Sequence, residues 1–391
     1  MPPLNASFLI EQTQSRSSEP VLFEEPISVE ALPTPALVLD RPALGRNIDK
    51  MAAFLGDHDK GFRPHAKTHK CPLISREQVA AGAVGVCVAK VGEAAALLSG
   101  GIDQILITSP VTTPLKAQCI NLLAKQTTGL QIVVDSLAGM SVLQTHLDAD
   151  ASLGVLLDID VAMGRTGARD VELLLKLAEQ IVADPRMTFA GVQHYAGHIM
   201  HIEDFVERRN KSLALWETVA ERLQILREHG YDAAIVTGGG TGTYNIDVDV
   251  PALTDIQVGS YILMDQEYRQ IGSAENEQFL DFEVSLHVAC STISAPRQGT
   301  MTVDGGYKAF ASDSVAPVTD DHAGVKFHFA GDEHGVLVLP KGEQALQLGQ
   351  VVQFVAPHCD PTVNLHDYYW VKEADGMIHS LWPITARGCV W

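Results

Sequence analysis

The sequence predicts a parallel, TIM-like (β/α)8 barrel of mixed α/β type, followed by a separate all-β domain. Three observations point there. Between residues 35 and 262, nine short runs rich in Val, Ile and Leu alternate with amphipathic stretches of ten to twenty residues, the grammar of βαβ units and a parallel sheet. After about residue 275 the text becomes short alternating strands with turn residues and no long helix. The units repeat evenly and no early strand carries GxGxxG, which favours a closed barrel over an open doubly wound sheet.

Residues 1–32 are polar and acidic with scattered Pro and Ser, and read as an arm that is ordered only if it docks on the body. Residues 33–275 carry the barrel. Its first run, PALVLD at 35–40, is one strand too many for eight and is expected to pair with the β-domain. The eight barrel strands are then GFRPHAK (61–67), AVGVCVAK (83–90), QILITS (104–109), LQIVVD (130–135), ASLGVLLDI (151–159), MTFAGVQHY (187–195), AAIVTG (233–238) and DIQVGSYI (255–262). Between them lie helical patterns such as VELLLKLAEQIV and the stretch from Asp204 to Gly230. Residues 276–391 form the β-domain.

The chain has 391 residues, 46% hydrophobic and 19% charged, enough to bury a large core. A formal net charge of −20 argues against nucleic-acid or anionic-lipid partners, whose binding relies on clustered Lys and Arg. No apolar run approaches the ~18 residues a membrane span needs, and the first residues lack a basic start and apolar core, so no secretory signal is expected. Six scattered cysteines without a CxxC pair fit reduced thiols and a cytoplasmic location.

In such a barrel the chemistry sits at the C-terminal strand ends. The end of the 61–67 run reads Arg63-Pro64-His65-Ala66-Lys67-Thr68-His69-Lys70. In extended backbone Arg63, His65 and Lys67 share one face. A strand-end lysine with a depressed pKa is what a Schiff-base enzyme needs; a basic loop with Lys67 and Lys70 in solvent is the plainer alternative. Thr237-Gly238-Gly239-Gly240-Thr241 and Gln257-Val258-Gly259-Ser260 follow the last two strands. Glycine N–H groups and hydroxyls there suit a phosphate, and Tyr195 is placed to reach one. His194, His198 and His201 follow the 187–195 run and are candidate acid–base groups. Arg165, between glycines, is a candidate to orient a ring or a carboxylate. His358 and Asp360 are two apart after an apolar run; in extended backbone they share a face and suit a hard octahedral cation, Mn²⁺ or Mg²⁺.

Together these segments resemble the D-threonine aldolase / D-serine dehydratase family, pyridoxal-phosphate enzymes of the alanine-racemase-like fold. The resemblance covers residues 33–391 and rests on TPALVLD (34–40), RPHAKTHK (63–70), AGAVGVCVAKVGEA (81–94), GRTG (164–167), TGGGTG (237–242), DGGYKA (304–309) and PHCDPTVNL (357–365). It implies pyridoxal 5'-phosphate as cofactor, with Lys67 rather than Lys70 as its lysine. It implies phosphate contacts near Tyr195, Thr237, Gly239, Gly240, Thr241, Gly259 and Ser260, and Arg165 against the ring. Gln257 falls where racemases place an Arg opposite the pyridine nitrogen, and His201 aligns better than His198 with the catalytic histidine. His358 with Asp360, instead of a His-x-Cys pair, resembles the aldolase branch and favours Mn²⁺.

The resemblance therefore implies a metal-dependent aldolase that cleaves D-3-hydroxy amino acids, of D-threonine or 3-hydroxyaspartate type, to glycine and an aldehyde. It also implies a homodimer. Alternatives on the same scaffold are a metal-assisted D-3-hydroxy amino acid dehydratase, an amino-acid racemase and a non-enzymatic carrier of the cofactor.

Overall fold

The computed structural model describes residues 5–341 and 346–391; the first four residues of the expected arm and residues 342–345 of the β-domain lie outside them. Two sheets organise the chain. Eight parallel strands run in the order Gly61–Phe62, Asp255–Ile256, Ile235–Gly238, Met187–His194, Leu153–Asp158, Leu130–Val134, Ile105–Ile107, Val86–Val88. A parallel bridge between His65 and Cys87 joins the two ends and closes the barrel. Helices of nine to twenty-four residues, from Arg41–Asp57 to Phe205–Glu228, separate most strands. Most start on a recognisable signal: Asp40, Ser136, Asp170 and Asp204 cap by side chain, and Pro72 and Pro114 occupy first positions, where no N–H is missed; Val91–Ser99 instead has Glu93 accepting the Ala89 and Lys90 N–H groups.

The second sheet has nine strands and is mostly antiparallel. Ala36–Asp40 sits at its centre, between Leu286–Ser294 and Tyr368–Lys372. Two quoted motifs meet here: the Thr34 hydroxyl donates to Asp304 at 2.6 Å, and Asp304 also accepts from the Ser291 N–H at 2.8 Å. The N-terminal segment is ordered because both its parts dock. Ala6–Gln14 is a helix packed on Val91–Ser99 and Pro114–Ala124 through Ala6 and Ile10. Val21–Ile27 adds an edge strand beside Ile378–Pro383. Among the described residues no helix is long and apolar enough to cross a membrane.

The barrel interior is apolar below, with Cys87, Leu106, Val133 and Leu156 in contact, and polar above. Gly191 sets the boundary. It lies at φ +147° in a bulge against Val155–Leu156, where a Cβ would stand 1.8 Å from the Ile235 carbonyl oxygen. The bulge shifts the strand's phase: Ala190 packs inside the barrel, and so does Gln193, three residues on. Two predicted strands are shorter than the runs suggested. The 61–67 run is regular only over Gly61–Phe62 and the 255–262 run only over Asp255–Ile256. Pro64 has no N–H for the ladder, and Ala66 starts a turn closed by the Lys70 N–H at 2.7 Å.

Candidate active site

A cavity of about 530 Å³ opens at the C-terminal strand ends. Lys67, Arg165, Tyr195, Gly240, Thr241, Gln257, Gly259 and Ser260 all line it, joined by His65 and Tyr268. Lys67 reaches it from the turn rather than from an extended strand, so the expected common face of Arg63, His65 and Lys67 is broken. Arg63 instead forms a buried ion pair with Asp255, Nε to Oδ1 at 2.8 Å. The turn also separates the two candidate lysines. Lys70 is spent on a buried ion pair with Glu93, which accepts the Ala89 and Lys90 N–H groups as well. The Lys67 side chain is 39% exposed, against 7% for Lys70, and its amine meets the Asp360 carboxylate.

That pairing corrects the expectation of a depressed lysine pKa. Burial pulls the Lys67 ammonium down, but Asp360 and then Tyr195 outweigh it and hold it above the ordinary lysine value. Burial likewise pushes Asp360 up, and Lys67 and His358 return it well below the carboxylate range.

Thr237 and Gly239 lie behind the cavity wall. The Thr237 hydroxyl donates to Asp255 and accepts from Gln257 Nε2 at 3.1 Å. Gly239, at φ +68°, leaves room for Asp247, whose Oδ2 stands 2.4 Å from where a Cβ would be. The nearer cradle is bare backbone. The Gly240 and Gly259 N–H groups donate to no backbone acceptor among the described residues. A Cβ on Gly259 would lie 2.7 Å from Thr68 Oγ1. Arg165 lies over the Tyr195 ring at 5.1 Å, on a loop gathered by Asp160, which accepts from the Ala162, Met163 and Gly164 N–H groups. An amine, two free glycine N–H groups beside hydroxyls, and a cation on an aromatic face fit an aldehyde-bearing, phosphorylated aromatic cofactor.

The orientation of Gln257 follows from a chain of hydrogen bonds. Asp158 and the Thr108 carbonyl only accept, so Gln193 turns its NH2 to them, at 3.0 and 3.3 Å. Gln193 Oε1 and the Thr237 hydroxyl then both accept from Gln257 Nε2, each at 3.1 Å. Both amide protons are consumed, so the Gln257 oxygen is the atom left for the cavity. His65 is fixed similarly. Thr108 Oγ1 donates to the Val88 carbonyl and so accepts from His65 Nε2 at 3.1 Å, and burial holds this imidazole's pKa well below its usual value.

His358 and Asp360 do not share an extended face. His358 caps a short helix, Cys359–Val363, and Asp360 occupies its first turn. Asp313, which carried no sequence signal, accepts from His358 Nδ1 at 2.8 Å, so Nε2 is the ring atom left to ligate an ion when the ring is neutral. Burial lowers the His358 pKa, but Asp360 and Asp313 outweigh it and raise it: the corner attracts cations. Among the described residues no three His, Cys, Asp or Glu side chains converge as ligands. One imidazole and one carboxylate, with positions left for water and substrate, fit a hard divalent ion. Asp313→Asn is expected to weaken divalent-ion affinity roughly 10–100-fold, measured by chelator competition; unchanged affinity would reduce Asp313 to a surface ion pair.

The histidines separate clearly. His194 is buried, donating Nδ1–H to the Ile159 carbonyl at 3.0 Å. His198 is exposed on a 3-10 turn. His201 packs on Tyr268, ring centroids 4.5 Å apart, but is itself 36% exposed and sits beside the cavity rather than in its lining, and Glu267 stands between His201 and His358, 3.7 Å from each Nδ1. Burial lowers the His201 pKa.

Comparison with known proteins places the fold and the family. The profile of the alanine racemase N-terminal domain matches residues 39–267, and that of a putative serine dehydratase domain matches residues 285–372. A D-threonine aldolase of Arthrobacter sp is 38% identical, over 91% of this chain and 93% of its own. A 3-hydroxy-D-aspartate aldolase of Paracoccus denitrificans (strain Pd 1222) is 34% identical, over 91% and 92%. The crystal structure of a D-threonine aldolase from Filomicrobium marinum superposes with a TM-score of 0.89 at 32% identity, covering 96% of this chain and 100% of that one. With both domain profiles and these full-length relatives in agreement, the chain belongs to the D-threonine aldolase / D-serine dehydratase family of alanine-racemase-like pyridoxal-phosphate lyases.

Proposed function

We propose that this protein is a pyridoxal-phosphate and divalent-metal aldolase that cleaves D-3-hydroxy amino acids, of D-threonine or 3-hydroxyaspartate type, to glycine and an aldehyde. One observation carries the reading: the Lys67 amine of the barrel, whose residue lines the cavity, meets the Asp360 carboxylate of the β-domain. When bound, the cofactor supplies an electron sink for the carbanion left at Cα. A divalent ion supplies Lewis acidity toward the substrate's β-hydroxyl.

The chain's own groups do the rest. Lys67 would provide the amine that anchors the cofactor and is placed to deliver a proton to Cα. The Gly240, Thr241, Gly259 and Ser260 cradle holds the phosphate, and Arg165 on Tyr195 confines the ring. The Gln257 oxygen, left free of other partners, would accept from the ring nitrogen if that nitrogen carried a proton. His358 Nε2 and Asp360 hold the metal. His201, whose pKa burial lowers, would take the β-hydroxyl proton rather than the proton on Cα. That choice separates aldol cleavage from dehydration.

His201→Asn is expected to lower kcat by roughly 10²–10⁴-fold, the usual range for a general base, with cofactor and metal affinity retained. An unaltered rate would move the base to His198. The donor set suits Mn²⁺ ahead of Mg²⁺. The racemase-like architecture suggests a homodimer, and six unpaired, buried thiols suit the cytoplasm. The test is a panel of D- and L-3-hydroxy amino acids. Glycine and aldehyde from the D-series alone are expected. Ammonia with an oxo acid would mean a dehydratase, metal-independent interconversion a racemase, and bound cofactor without turnover a carrier.

A further inference from the structure

We propose that Arg208 is the buried counter-charge of the phosphate cradle and positions the His201 segment at the same time. The proposal rests on reading Gly240, Thr241, Gly259 and Ser260 as the phosphate site. Arg208 lies in the helix Phe205–Glu228 and is 0% exposed. Its guanidinium donates only to carbonyl oxygens: Nε to Gly242 at 2.8 Å, Nη1 to Ile202 and, at 3.4 Å, to Glu203, and Nη2 to Gly272. Among the described residues no carboxylate lies within ion-pair distance of it, and Asp281 and Asp204 act on it only from further off, too weakly to offset its burial.

Four carbonyls take four of the five N–H donors of the guanidinium, and the Phe205 ring lies 5.4 Å from it, but none of these supplies a negative charge. A buried ion without a counter-ion is costly, and such groups are normally paired. The missing charge has an evident source. Gly242 belongs to the 3-10 turn Thr241–Thr243, and the other side of that turn presents Gly240 and Thr241 to the cavity. A phosphate held there would face Arg208 across one layer of backbone, where field screening by water is small. The turn packs closely on the segment before the helix: a Cβ on Gly242 would stand 2.3 Å from the Met200 carbonyl oxygen, so only glycine fits there. The same guanidinium grips Ile202 and Glu203, the residues next to His201. Anion binding and placement of the base are thereby fastened to one side chain.

The experiment compares apparent affinities of the apo-protein for pyridoxal phosphate and for pyridoxal, which has the ring and aldehyde but no phosphate. The wild type is expected to prefer the phosphorylated form strongly. Arg208→Gln, which keeps a donor and removes the charge, is expected to reduce that preference by at least roughly tenfold, chiefly by weakening pyridoxal phosphate. Arg208→Lys, which keeps the charge, is expected to retain most of the preference even where overall affinity falls. Equal loss for both ligands in Arg208→Gln would make Arg208 a structural residue and overturn the proposal. If Arg208→Gln does not fold, Arg208→Lys decides alone: a lost preference in this charge-retaining variant would overturn it too. A wild type that does not discriminate would instead sink the phosphate reading of the cradle.

Discussion

Lys67→Ala gives a colourless protein with no borohydride-reducible link to pyridoxal phosphate and turnover reduced by at least roughly 10³-fold. Three features lead there. Lys67 lines the cavity while Lys70 is locked on Glu93. The free Gly240 and Gly259 N–H groups and the Thr241 and Ser260 hydroxyls flank the same space. Lys67 also carries the amine that meets the β-domain's carboxylate. Lys70→Ala is the matched control: it strips Glu93 of a buried partner and lowers stability, yet leaves the yellow chromophore. Absorbance after dialysis against the cofactor, with peptide mapping of the reduced link, separates the two. A normal visible band in Lys67→Ala, or a link mapped to Lys70, would remove this lysine from the account.

Asp360→Asn abolishes metal-stimulated turnover, by roughly 10²–10⁴-fold, while pyridoxal phosphate stays bound. The substitution preserves shape and removes the charge that both Lys67 and His358 sense. Asn is a weaker ligand for a hard cation than carboxylate, so the divalent-ion midpoint should rise with the rate loss. The unpaired Lys67 ammonium loses the partner that raises its pKa, so its proton comes off at lower pH than in the wild type. The cofactor link should accordingly persist or form more readily. Turnover unchanged in Asp360→Asn, with or without added Mn²⁺, would retire the metal role of this corner.

The barrel and β-domain were legible because strand–helix alternation is a local signal repeated many times, and most barrel helices announce their start with Asp, Ser or Pro. The N-terminal helix Ala6–Gln14 was not, because its buried side consists of little more than Ala6, Ile10 and Thr13 and its order comes from docking. The cavity residues Arg165, Tyr195, Gly240, Thr241, Gln257, Gly259 and Ser260 were visible as small or polar residues at strand ends. Spacing alone could not separate Lys67 from Lys70, since the deciding partner, Glu93, lies 23 residues away. Gln193 was hidden by the Gly191 bulge, which reverses the in–out alternation that a sequence reader extrapolates. Thr237 looks like a phosphate donor, but its hydroxyl is claimed by Asp255 on the neighbouring strand. Asp313 sits in a polar loop with nothing to distinguish it. Arg208 did leave a trace: with Ser212, Trp216 and Val219 it occupies the buried stripe of its helix, at helical spacing, where a charged residue is unexpected.

The most direct test of the central claim is one reaction followed for three products. Enzyme loaded with pyridoxal phosphate and stripped of metal by chelation is given D-threonine, then Mn²⁺, while glycine, acetaldehyde and ammonia are measured together. The account predicts almost no turnover before the metal, then glycine and acetaldehyde in equal amounts and no ammonia. Ammonia with 2-oxobutanoate, or full glycine release in the chelated enzyme, would contradict it.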